Sequence, residues 1–205
     1  MANQQIIKKI ALETLNLESK SISNLSKVID ANFYEIINKL KVCNGKIVIT
    51  GIGKSAIIAM KISATLNSTG SKSMFLHLGD ALHGDIGAIG KDDIVICISK
   101  SGESKEIESL SNYLKNEDIE LIGISCVKDS LLDKLSDMFI HTEIEREACH
   151  NNLAPTTSSS CHLAIGDALA MTLQKLKGFS PSDFSVYHPS GNLGKKLSLK
   201  LKDLI

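Results

Sequence analysis

Ile94-Val95-Ile96-Cys97-Ile98-Ser99-Lys100-Ser101-Gly102-Glu103-Ser104-Lys105 runs from an unbroken apolar segment, through a hydroxyl-rich turn, into a helical pattern. A short apolar run of this kind, closed by turn residues, reads as a buried strand. The turn that follows has the composition of a phosphate cradle. Amides at a helix N-terminus carry partial positive charge, Gly102 lets the chain approach a ligand closely, and Ser99, Ser101 and Ser104 can each reorient a hydroxyl toward a phosphate oxygen. The same residues also suit an ordinary strand-to-helix turn with a serine N-cap.

Outward from this stretch the pattern repeats. Lys46 to Thr50, Ser73 to His77, Leu121 to Ser125 and Met138 to His141 are further short β-branched or apolar runs bounded by turn residues. Helical patterns over Ser55 to Asn67, Lys105 to Asn116 and Ser130 to Leu135 lie between them. Strand and helix alternate, as a doubly wound α/β fold requires, and the expected core is a five-stranded parallel sheet flanked by helices. Before it, residues 1–44 carry apolar positions at three- and four-residue spacing and are expected to form two helices. After it, a long helix is expected from Ser158 to Lys177, stopped by Gly178, and a short one after Gly191. Pro155, Pro181 and Pro189 fall in expected loops, and no repeat or low-complexity linker divides the chain.

A chain of 205 residues, 43% apolar, suits a single domain over residues 1–205, with residues 45–205 carrying the sheet core and the later helices. Its 23 basic and 23 acidic residues cancel, so no global field attracts nucleic acid or an anionic membrane. With 4% aromatic residues and no tryptophan it lacks stacking platforms for single strands. Five cysteines without a C-x-x-C spacing fit free thiols in a reducing compartment, and cytoplasm is the expected location. No apolar run approaches the roughly 20 residues of a membrane span, and the first ten residues do not resemble a signal peptide.

Gly51-Ile52-Gly53-Lys54-Ser55-Ala56 matches G-x-G-x-x-A after the first strand. A dinucleotide site also needs an acid roughly 20 residues on, and none occurs from Ile36 to Gly79. A nucleotide-triphosphate P-loop needs glycine where Val48 stands. Both readings are excluded. What remains is a turn in which Gly53, Lys54 and Ser55 present donors to a compact anion, in an acid-free stretch that also carries Lys39, Lys41, Lys46, Lys61 and Lys72.

Two other clusters carry candidate chemistry. His77, Asp80, His83 and Asp85 follow the second strand as a polar pocket edge, a weak metal signal without a third fixed ligand. Glu147, Cys149 and His150 precede Thr156-Thr157-Ser158-Ser159-Ser160, a carboxylate followed by five consecutive hydroxyls at a helix start. Arg146 is the only arginine, and it reads as a solvated side chain. Asp183, Tyr187, His188 and Pro189 precede the last expected helix.

Seven ordered blocks together resemble the sugar isomerase (SIS) domain and, within it, the arabinose-5-phosphate isomerases. They are Gly51-Ile52-Gly53-Lys54-Ser55, Ser68-Thr69-Gly70, His77 with Ala81-Leu82-His83-Gly84-Asp85, Ser99 to Ser104 with Glu106, Glu147-Ala148-Cys149 with Leu153-Ala154-Pro155-Thr156, Gly166 to Ala170, and His188-Pro189-Ser190-Gly191. The resemblance implies a flavodoxin-like α/β sheet and an aldose–ketose isomerase that interconverts D-arabinose 5-phosphate and D-ribulose 5-phosphate through an enediol, supplying the eight-carbon acid Kdo of lipopolysaccharide. It implies Glu147 as base, His188 for ring opening or oxygen proton transfer, and Lys54 and Glu106 for polarising and positioning. It assigns phosphate and sugar binding to Gly53, Ser55, Gly70, Ser71, His83, Ser99, Ser101, Gly102, Ser104, Thr156 and Thr157. No cofactor is implied, although zinc at His77 would act as an inhibitor. A homotetramer with active sites shared between subunits is implied, and the paired CBS domains usual in the family are not expected here. Three departures bear on substrate preference: Lys100 stands where the family usually has asparagine, Leu78-Gly79-Asp80 where it has Pro-Ala-Glu, and His150 where it usually has proline. A heptose or hexulose phosphate substrate, or a non-catalytic sugar-phosphate sensor, are the alternatives.

Overall fold

The computed structural model describes residues 2–189. Its centre is a five-stranded, all-parallel sheet of β1 (Ile47–Gly51), β2 (Ser73–His77), β3 (Ile94–Ser99), β4 (Glu120–Ser125) and β5 (Met138–His141), in the order β2-β1-β3-β4-β5. The α-helices in chain order are α1 (Ala2–Asn24), α2 (Ala31–Val42), α3 (Lys54–Ser68), α4 (Leu78–Ala81), α5 (Lys105–Asn116), α6 (Leu131–Leu135), α7 (Thr157–Leu176) and α8 (Pro181–Tyr187). Two 3-10 turns cover Leu25–Val28 and Asp85–Ala88.

Parallel strands need helical crossovers, and these cover both faces of the sheet, so β1 is buried at every position. Alternation along each strand sorts the side chains. Ile47, Ile49, Ile96, Ile98, Ile122 and Ile124 face Ile36, Leu40, Ile62, Leu66, Ile165 and Leu169 on α2, α3 and α7. Val48, Val95, Cys97 and Leu121 face Leu78, Ile107, Leu110, Leu114 and Leu132 on α4, α5 and α6. Helices α3 and α7 approach closely because Gly166 has no Cβ, which would overlap the Ile62 side chain. The α2 start is capped by Asp30, whose carboxylate accepts the Phe33 amide at 3.1 Å, a contact worth about 1 kcal/mol.

All five strands and the helices between them fall within a residue or two of their expected positions. Two differences concern short elements. Leu78–Ala81 forms one helical turn, and Pro181, expected in a loop, opens α8, where its missing N–H costs nothing at the first helical position and Ser180 completes a capping box with Asp183. The helix expected after Gly191 lies outside the described residues. Helix α1 leaves Ile6, Ile7, Ile10 and Leu15 each more than half exposed, and is tied to α7 by the Ser160 hydroxyl, which donates to Glu18 at 2.7 Å. Among the described residues no helix is long and apolar enough to cross a membrane.

Candidate active site

The strand order reverses between β1 and β3, and in open parallel sheets ligands occupy the crevice beyond the carboxyl ends at such a switch point. Here the crevice is a cleft of about 320 Å³ lined by Ile52, Ser55, Ser99, Ser104 and Glu106. The loop after β1 supplies its first wall. Gly53 adopts φ 60° as the N-cap of α3 and offers no side-chain cap, so the first amides of α3 keep no side-chain partner there. Lys54 begins that helix in an exposed position and forms no ion pair among the described residues.

The second wall is the turn after β3. Ser99 Oγ accepts the Gly102 amide at 3.0 Å, Ser101 Oγ accepts the Glu103 amide at 3.2 Å, and Ser104 Oγ caps α5 by accepting the Ile107 amide at 3.3 Å. Each hydroxyl is thus anchored through a lone pair; Ser99 keeps its proton available to an anion, while Ser101 donates to the Glu103 carbonyl at 3.5 Å and Ser104 to Glu106, contacts that an anion would have to replace. Gly102 makes the turn possible, because it sits at φ 70° and a Cβ there would overlap Ser130 Oγ. Glu106 stands in the first turn of α5 on the cleft wall, its carboxyl held below the usual range by its own backbone amide and the Ser104 hydroxyl.

Beyond β5 the chain encloses Glu147 completely. Its Oε2 accepts the Thr156 amide at 2.8 Å, the Thr156 hydroxyl at 3.2 Å and the Ser158 amide at 3.2 Å. Its Oε1 accepts the Ser158 hydroxyl at 2.6 Å and faces Lys100 Nζ at 3.1 Å. Helix α7 has no cap from its own N-cap residue, and the Glu147 carboxylate takes that place, charge against the positive end of the helix. Burial pushes the carboxyl up, but the Ser158 hydroxyl, the Thr156 amide, Lys100 and the Ser158 amide outweigh it and hold the group down at about 2. Behind it lies His162, kept neutral by burial that lowers it to about 4, with Nε2 3.5 Å from Cys126 Sγ.

Several expectations change at this point. Thr156 accepts the Ala148 amide and donates to Glu147, while the fully buried Thr157 hydroxyl has no partner among the described residues; neither lines the cleft. Gly70 and Ser71 precede β2 and lie at the amino end of the sheet, opposite the cleft; Gly70 packs on Phe179, and buried Ser71 accepts Lys177 Nζ at 3.0 Å. His188 shares that pole, beside Gly70 and Ser71 in a cavity of about 580 Å³. Its ring stacks on Phe184 with centroids 3.8 Å apart, and Nδ1 lies 2.9 Å from the Phe184 carbonyl. A carbonyl only accepts, so Nδ1 carries the proton, and Nε2 has no partner among the described residues. Three lysines of the lysine-rich stretch, Lys39, Lys46 and Lys61, are committed to pairs with Glu120, Asp93 and Asp167.

His83 is exposed beyond β2, and His77 ends that strand with Nδ1 3.6 Å from Asp80. Among the described residues no group of three or more His, Cys, Asp or Glu side chains gathers as a metal site. Two donors fall short of the four a closed zinc site takes, so no chemical step is drawn through a metal. The Lys100–Glu147 pair and the role of Ser158 were not legible in the motifs; the one signal was Lys100 itself, a cation inside an otherwise hydroxyl-rich turn.

A family model for the SIS domain matches residues 39–172, spanning β1 to β5 and most of α7. The chain belongs to the SIS domain family. Within it, the chain is 43% identical over 198 residues to the arabinose 5-phosphate isomerase KdsD of Francisella tularensis, covering 95% of this chain and 61% of that protein. It is 42% identical over 193 residues to KdsD of Yersinia pestis, covering 94% of this chain and 59% of that protein. The chain therefore spans about three-fifths of the length of these curated relatives. Among solved SIS structures, c3406 of E. coli CFT073 in complex with arabinose 5-phosphate superposes with a TM-score of 0.87 at 39% identity, covering 92% of this chain and all of that one.

Proposed function

We propose that the chain is an aldose–ketose isomerase that interconverts D-arabinose 5-phosphate and D-ribulose 5-phosphate through an enediol. The observation that carries this reading is the solved arabinose 5-phosphate complex of a relative whose whole length this chain matches, set beside a cleft at the switch point with anchored hydroxyls and two helix N-termini. Ser99, Ser101 and Ser104 would hold the phosphate, with Gly53, Ser55 and Gly102 keeping the backbone close, and that binding would fix the reactive carbons. The reaction removes a proton from C2 of the aldose and delivers one to C1, with matching transfer between O1 and O2. A base must come within roughly 3 Å of that carbon-bound proton. Glu106 lines the cleft, whereas Glu147 has no exposed oxygen and five donors upon it, so we assign proton transfer to Glu106 and a positioning role to Glu147. Lys54 would stabilise the developing enediolate. The reaction needs no redox cofactor, and zinc at His77 would act only as an inhibitor.

We place the enzyme in the cytoplasm as a homotetramer, its product directed toward Kdo. Two features support self-association. The exposed apolar residues of α1 lack a partner within the described residues, and His188, whose Nε2 has no partner among them, lies at the pole opposite its own cleft, so that it would serve a neighbouring subunit, as would His83, exposed beyond β2. The deciding experiment measures ketose formation from arabinose 5-phosphate by chelator-treated protein, with ribose, glucose and sedoheptulose phosphates in parallel. Selective turnover abolished by Glu106→Gln supports the reading. Binding of arabinose 5-phosphate without turnover would leave a sugar-phosphate sensor, and a sedimentation profile of a fully active monomer would remove the shared site.

A further inference from the structure

We propose that Lys100 is a shared counter-ion: it pairs with Glu147 in the free protein and turns to the phosphate of a ligand in the cleft, so that anion binding and the environment of Glu147 are coupled. The inference rests on the sugar-phosphate reading above.

Lys100 sits inside the cradle, between Ser99 and Ser101. Its backbone is pinned, because its carbonyl accepts both the Cys126 amide and the Ser125 hydroxyl at 3.1 Å. Only the side chain is free to choose a partner. That side chain is 37% exposed while Glu147 is 0% exposed, so the ammonium stands between an enclosed carboxylate and solvent, one residue from Ser99 on the cleft wall. Glu147 does not depend on it alone, since four neutral donors from Thr156 and Ser158 remain if Lys100 turns away. The other groups around Glu147 offer no competing cation. Arg146 donates to the Glu147 carbonyl at 3.1 Å, His162 is held neutral by burial, and burial keeps the Cys126 and Cys161 thiols protonated. A sugar phosphate brings close to two negative charges against the single charge of the carboxylate, and its site lies on the residues flanking Lys100. Linkage then makes the coupling reciprocal: whatever weakens the internal pair strengthens the hold on the anion.

The test is calorimetric titration of the full chain with inorganic phosphate, for the wild type, Lys100→Gln, Glu147→Gln and the double variant. Lys100→Gln should weaken phosphate binding roughly ten- to hundredfold, the loss of one charged hydrogen bond. Glu147→Gln should tighten it by about fivefold or more, because the ammonium is released from its internal partner. The double variant should bind like Lys100→Gln, since without Lys100 the carboxylate has nothing to release. A lysine with a purely structural role would not produce the tightening. Should Glu147→Gln fail to fold, the Glu147 side-chain carboxyl resonance in carbon-13-labelled protein should move on phosphate saturation in the wild type and stay still in Lys100→Gln; no movement in the wild type overturns the coupling. Phosphate binding that ignores both substitutions overturns the coupling and leaves the sugar-phosphate reading standing. Absence of phosphate and arabinose 5-phosphate binding in the wild type removes both.

Discussion

Two hydroxyl-rich segments leave the carboxyl edge of the same sheet and do opposite things. Ser99 to Ser104 keeps three hydroxyls around the cleft, each anchored through a lone pair to an amide of its own turn. Thr156 to Ser160 turns inward, with Thr156 and Ser158 closed on Glu147, Thr157 buried and Ser160 donating to Glu18. The compositions are nearly the same. What separates the two is a buried carboxylate: an enclosed charge needs donors from every side, and the nearest hydroxyls are drawn to it before any ligand.

The largest effect on this contrast comes from Glu147→Ala. The variant strands the amides of Thr156 and Ser158 at an uncapped helix, and urea unfolding should show a loss of about 3 kcal/mol or more. A loss below about 1 kcal/mol would mean that the inward segment is held by something other than this carboxylate.

Acid should act on the same region in two stages. His162 is lowered from 6.5 to about 4 in the folded chain, so between those values the unfolded state binds the extra proton. Stability therefore falls as pH drops through that window, by up to roughly 3 kcal/mol, and His162→Gln should flatten the fall. Glu147 is lowered from 4.5 to about 2, so its contribution is complete above the unfolded value and is lost as pH falls toward the folded one. Urea midpoints measured from pH 7 to pH 3 check both stages, and a flat profile between pH 6.5 and 4 would sink the first.

Ser104→Ala probes the outward segment. Loss of the α5 cap should cost about 1 kcal/mol in urea unfolding, and the KM for arabinose 5-phosphate should rise with it. Thr157→Val should be the mildest change, within about 1 kcal/mol and on the stabilising side, because it removes an unpaired buried hydroxyl while keeping its shape. An increase in KM for Thr157→Val would place that hydroxyl at the ligand and erase the contrast.

Much of this was legible in the chain. Apolar runs such as Ile94 to Ile98 mark strands because a strand buried on both faces cannot alternate, and the glycines and serines after them mark the loops where a parallel sheet presents its ligand. Gly53, Ser55, Ser99 and Ser104 were found this way and Glu106 through the resemblance, and the structure brings them to the cleft or its loops. Gly70 and Ser71, implied by the resemblance, and Thr156 and Thr157 lie outside the lining of this cleft, and sequence alone does not separate the two cases for the threonines, because a hydroxyl beside a helix end reads the same facing either way.

Local pattern by itself determined the alternation of strands and helices, the carboxyl-edge loops and the class of ligand they suit, since periodicity and turn chemistry act over a few residues. Only the tertiary structure decided which hydroxyls face the cleft, that Glu147 caps α7, and that Lys100 meets it at 3.1 Å. Those outcomes depend on residues far apart in the chain competing for the same donors, and that competition exists only once β3 and the loop after β5 lie at one edge of the folded sheet.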